Sequence, residues 1–108
     1  MIIVRAESMG KWDTFSISAD GHANAARNEE NHDLVCCAVS TLMGTLANSC
    51  ARIEDVNTIY QSSHGHALVT VTNIPEEIWH EIASRFTMAM DGLEGLAEQY
   101  PDSLRIDQ

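Results

Sequence analysis

Asp33-Leu34-Val35-Cys36-Cys37-Ala38-Val39-Ser40-Thr41-Leu42-Met43-Gly44-Thr45-Leu46-Ala47-Asn48-Ser49-Cys50 is the stretch on which the fold turns. Val35, Val39, Leu42, Leu46 and Cys50 recur at intervals of three and four, which sets them along one side of a helix. Asp33 suits the N-cap, because its carboxylate accepts from the unpaired amides of a first helical turn. The stretch predicts a largely buried helix over roughly residues 34 to 51. Ala38, Gly44 and Ala47 let it lie close against a sheet or a second copy of the chain, although Gly44 costs about 1 kcal/mol of helix propensity relative to alanine.

Upstream, Ile2, Val4 and Ala6 alternate with Ile3, Arg5 and Glu7, and Phe15, Ile17 and Ala19 alternate with Thr14, Ser16 and Ser18. Two such runs either side of Ser8-Met9-Gly10-Lys11 read as a β-hairpin. Residues 20 to 32 are polar, with no apolar side chain larger than alanine, and read as a loop. Downstream, extended runs around Val56 to Gln61 and Ala67 to Thr72 flank Ser62-Ser63-His64-Gly65-His66 and predict a second hairpin. Pro75, Glu76 and Glu77 then suit a helix start, and Ile78, Ile82, Phe86, Met90, Leu93, Leu96 and Tyr100 form the buried stripe of a helix that Pro101 stops. The order ββαββα implies an α+β fold of two layers, a mainly antiparallel four-stranded sheet with two helices on one face. Leu104-Arg105-Ile106 suits a short edge strand.

The 108 residues, 44% of them hydrophobic, fit a single domain over 1–108. Six basic side chains against sixteen acidic ones give a formal charge of −10. Direct nucleic-acid binding is disfavoured and a basic protein is the better-matched partner. No signal peptide or bilayer-spanning stretch is expected, and three cysteines, two of them adjacent, argue against a disulfide framework. The expectation is a cytoplasmic protein.

A thiol near a helix start with an imidazole in the preceding loop supplies the parts of a cysteine nucleophile. Cys36 falls at about the third position of the expected helix, where free amides and the helix dipole favour thiolate. His22 lies fourteen positions earlier and is the candidate general base and acid. The same amides, with the Gly21 backbone, are the candidate oxyanion site, and Asp20 and Asp33 are candidate orienters of the imidazole. A cysteine near a helix start is also a common small hydrophobe, and a loop histidine is commonly solvated. Spacing alone does not choose.

Three motifs do. Gly21-His22-Ala23, Asp33-Leu34-Val35-Cys36-Cys37-Ala38-Val39-Ser40 and Gly92-Leu93-Glu94-Gly95-Leu96-Ala97-Glu98-Gln99-Tyr100-Pro101 stand in order along nearly the whole chain. They resemble the ribosomal-processing cysteine protease Prp family of bacteria, whose signatures are a Gly-His-Ala loop and an Asp-Ile-Val-Cys-Ala-Ala-Val-Ser helix start. The resemblance implies a homodimeric cytoplasmic endopeptidase with His22 and Cys36 as its dyad and no metal or organic cofactor. It implies a basic ribosomal protein precursor as substrate, trimmed of an N-terminal extension, with a phage structural protein as a second possible client. Gly21, Ala23, Asp33 and Ser40 are the remaining oxyanion or substrate-cleft candidates.

Two departures stand out. Cys37 replaces a usual alanine and sits about 100° around the helix from Cys36, which suits packing better than attack. The loop from Asn24 to His32 lacks the glycine often found before the family's aspartate and is slightly longer, so specificity is the inference it exposes most. Other readings are weaker. His32 with Cys36, and His64 with His66, suggest a zinc site but lack a paired motif, and the latter two suit an exposed turn. The non-enzymatic rival is a protein-binding module that has kept the fold without turnover.

Overall fold

The computed structural model describes residues 1–7, 12–21 and 29–107, with 29–33 as backbone only. Strands β1 (Ile2–Glu7) and β2 (Phe15–Asp20) precede helix α1 (Glu29–Ala51). Strands β3 (Asn57–Ser63) and β4 (His66–Thr72), a 3-10 turn (Glu76–Ile78), helix α2 (Trp79–Gln99) and strand β5 (Leu104–Asp107) complete the order. The sheet runs β3-β4-β2-β1-β5. Ile17 stands opposite Val69 in the antiparallel β2–β4 pair, and Val4 opposite Ala19 in the antiparallel β1–β2 pair.

The class is as expected, but the sheet has five strands and is mixed, since β5 lies parallel to β1. Each helix is the reason its following strand takes this direction. A helical crossover carries the chain back to the end of the sheet at which the preceding strand began, so β3 runs parallel to β2, and β5 to β4. At the last turn Ser103 N and Leu104 N both donate to Tyr100 O, at 2.9 and 3.1 Å, and Ile2 N donates to Ser103 O at 2.8 Å. Those bonds seat β5 beside β1.

Alternation then sorts the sheet into two faces. Ile2, Val4, Ile17, Ala19, Val69 and Val71 are buried under the helices. Helix α1 adds Val35, Val39, Met43, Leu46, Ala47 and Cys50, and α2 adds Ile82, Phe86, Ala89 and Leu93. Full burial of such an aliphatic or aromatic side chain stabilises by about 1.5–3 kcal/mol, which makes this layer the main source of stability. Leu42, expected in the buried stripe of α1, is only partly buried, and Met43 fills the core in its place. The opposite sheet face is polar, with Ser16 and Thr70 hydroxyls 3.1 Å apart and Arg5 Nε 3.0 Å from Asp107 Oδ2.

Two expectations about α1 need correction. It begins at Glu29, not near 34, so Asp33 lies inside it and is not its N-cap. Residues 29–33 carry no apolar marks for periodicity to register, whereas their glutamates are good helix formers suited to the positive end of the helix dipole. By length and composition alone Leu34–Ala51 is also apolar enough to cross a membrane, contrary to the reading that no stretch qualifies. Its apolar residues instead close the sheet, which is what a core helix requires of them.

Candidate active site

The end of β2 is where the chain changes direction. Gly21 has φ of 109°, in the region that favours glycine, and a Cβ there would overlap the Met1 carbonyl oxygen. Its N–H donates to Gly65 O at 2.9 Å, tying it to the β3–β4 turn. The turn itself needs Gly65, whose φ is 78°. Two glycines thus hold β2 and the β3–β4 hairpin together at one end of the sheet.

Against that end lies the start of α1, and between them opens a cleft of about 330 Å³. Gly21, Cys36, Ser40 and the Ser62–His66 turn line it, with Ile2, Ala19 and Val39 as its floor. Cys36 and Ser40 are one helical turn apart and face the same space. Cys36 is half-buried, while the neighbouring Cys37 is exposed and does not line the cleft. Cys50, about four turns further along α1, is buried in the core. Burial pushes the Cys50 thiol up, with Glu81 adding to the effect and the Ser49 hydroxyl and Arg85 opposing it.

Of the residues singled out in the sequence, Gly21, Cys36 and Ser40 come together at this cleft. His22 and Ala23 lie outside the described residues, as does the loop from Asn24 to Asn28. Asp33 is helical in its backbone, one turn before Cys36. Cys36 is the eighth residue of α1 counted from Glu29. Asp20, a candidate orienter of His22, is engaged by His66, whose Nδ1 donates to Asp20 Oδ1. Asp20 and His66 are register partners next to Ala19 and Ala67, so their side chains leave from the polar face of the sheet.

The Ser62–His66 segment, which suits an exposed turn in the sequence, forms a wall of the cleft. The missed signal was in the register. Once β2 pairs with β4, the β3–β4 turn must stand beside the residue that follows β2. Among the described residues no three His, Cys, Asp or Glu side chains gather as a metal site.

The family model described as cysteine protease Prp matches residues 1–105. No curated protein matches the chain. Among solved structures, the essential ribosomal processing protease Prp of Staphylococcus aureus with a covalently linked product peptide has a TM-score of 0.77 at 19% identity, covering 99% of this chain and 98% of that one. The same protease with a substrate peptide gives 0.74 at 18%, with 99% and 98% covered. The Streptococcus mutans protein SMU.848 gives 0.68 at 24%, with 99% and 92% covered. At such identities these likenesses speak to the fold.

Proposed function

The chain belongs to the cysteine protease Prp family, and from that premise we propose that Cys36 is its nucleophile and His22 its general base. The observation that carries the proposal is that Cys36 and Gly21, the residue immediately before His22, line one cleft. In the proposed reaction His22 accepts the thiol proton as sulfur attacks the scissile carbonyl carbon. The tetrahedral intermediate expels the amine, which takes the proton back from the imidazolium and leaves a thioester on Cys36. Water, deprotonated by His22, attacks that thioester, releases the carboxylate product and restores the thiol.

The proposed substrate is the precursor of a large-subunit ribosomal protein, cleaved to remove an N-terminal extension. Support comes from the Staphylococcus aureus ribosomal processing protease, which shares the fold, and from a formal charge of −10, which suits a basic client. A phage structural protein is the alternative client. Work in the cytoplasm accords with three free thiols. A homodimer accords with β3 being an edge strand that exposes Ile59 and Tyr60, apolar surface a second copy would cover.

A second choice of base has an observation of its own, since His64 lines the Cys36 cleft. Incubating the extended precursor with wild type, His22→Ala, His64→Ala, Cys36→Ala and Cys37→Ala separates these readings. Loss of cleavage in His22→Ala and Cys36→Ala alone supports the dyad. Loss in His64→Ala with retention in His22→Ala transfers the base to the turn, and stable binding of the precursor by wild type without cleavage favours the non-enzymatic binding module.

A further inference from the structure

At the other end of β2 from Cys36 lies a second cavity, about 380 Å³, lined by Trp12, Glu76, Trp79 and His80. Trp79 is held firmly. Its Nε1 donates to Trp12 O at 2.6 Å, its ring packs 5.4 Å from Phe15, and the His80 ring meets its edge at 5.1 Å and 87°. Trp12, by contrast, is 64% exposed. An exposed indole and a fixed one thus line the same cavity as the Glu76 side chain, and indole rings with a carboxylate are the groups that attract an organic cation.

We propose that this cavity binds an arginine side chain of a basic polypeptide, as an anchoring site separate from the Cys36 cleft. A guanidinium is planar and weakly hydrated, so it stacks on indole while its N–H groups donate to the Glu76 carboxylate. An ammonium is a compact, strongly hydrated charge and gains less from the same walls. The chain's excess of ten negative charges matches such an occupant. The six residues of β2 separate the two sites by about 20 Å, so one extended chain touching both would engage about six residues between them. The site holds a client at a distance from the reacting bond and is independent of which residues cleave it.

Trp12 and Trp79 are the only tryptophans, so intrinsic fluorescence reports this cavity directly. The test is a titration with the peptide acetyl-Gly-Arg-Gly-Arg-Gly-amide, and with the same peptide carrying citrulline for arginine. The expected result is a saturable emission change with the arginine peptide alone. Its affinity falls about tenfold in Glu76→Gln, where a charged hydrogen bond is lost, and by a similar factor in Trp12→Ala, read from Trp79. Glu77→Gln, a neighbouring charge outside the cavity, leaves affinity within about twofold. No saturable change, equal binding of the citrulline peptide, or unchanged affinity in both Glu76→Gln and Trp12→Ala overturns the proposal. Trp12 is exposed and its contribution to Trp79 is a backbone oxygen, so Trp12→Ala keeps the fold.

Discussion

Gly21 N–H and the carbonyl of Gly65 meet at 2.9 Å, joining the exit of β2 to the turn between β3 and β4. Both residues line the Cys36 cleft, so this single bond ties two of its walls together. A side chain at position 21 would need a strained φ and would strike the Met1 backbone. Gly21→Ala is therefore expected to lower the free energy of unfolding by about 2 kcal/mol or more, read by urea denaturation, and to reduce cleavage below what the lost folded fraction explains.

Asp20 and His66 pair on the polar face, each half-exposed. Water screens such a pair, which contributes about 0–1 kcal/mol. Asp20→Asn should change kcat/KM less than about threefold, because a residue orienting the base would cost orders of magnitude. Steady-state cleavage kinetics check this, and a loss of a hundredfold or more, on the order of a missing orienter, would return Asp20 to the reaction.

Asp33 lies within α1. A capping aspartate replaced by alanine costs about 1 kcal/mol, whereas a helical one away from such a feature changes stability by less than about 0.5 kcal/mol. Chemical denaturation of Asp33→Ala should give the smaller figure. The larger one would place the helix start back at Asp33.

Cys50 is fully buried, and burial pushes its thiol above the usual range. A folded-state pKa raised above the unfolded one means that the native state holds its proton longer. Stability is then complete below the unfolded thiol value of about 8.5 and declines as pH rises from there through the folded value. Urea midpoints measured from pH 7 to 10 should fall more steeply for wild type than for Cys50→Ala, although the variant is less stable at every pH because it leaves a cavity. Iodoacetamide at neutral pH should modify Cys37 and spare Cys50 until the protein is denatured.

Much of this was legible before the fold was known, and the failures share a cause. Val35, Val39, Leu46 and Cys50 on α1, and Ile82, Phe86 and Leu93 on α2, are buried as their spacing required, because one helix face must meet the sheet. Positions 29–33 escaped, since periodicity sees only apolar residues and Asp33 satisfied the local statistics of capping. The parallel seat of β5, the partnership of Asp20 with His66 and the turn's place in the cleft are tertiary. Each depends on which strands become neighbours across a long connection, and alternation within a strand is silent about that. Cys36 and Gly21 were marked by motif, but only strand pairing and the seat of α1 put them around one space.

The most direct test of a Cys36 nucleophile is to quench the reaction with acid during turnover of a precursor peptide and map the modified enzyme by mass spectrometry. The account predicts a thioester carrying the N-terminal fragment on Cys36, absent from Cys36→Ala and strongly diminished in His22→Ala. The same adduct on Cys37, or undiminished cleavage by Cys36→Ala, would contradict it.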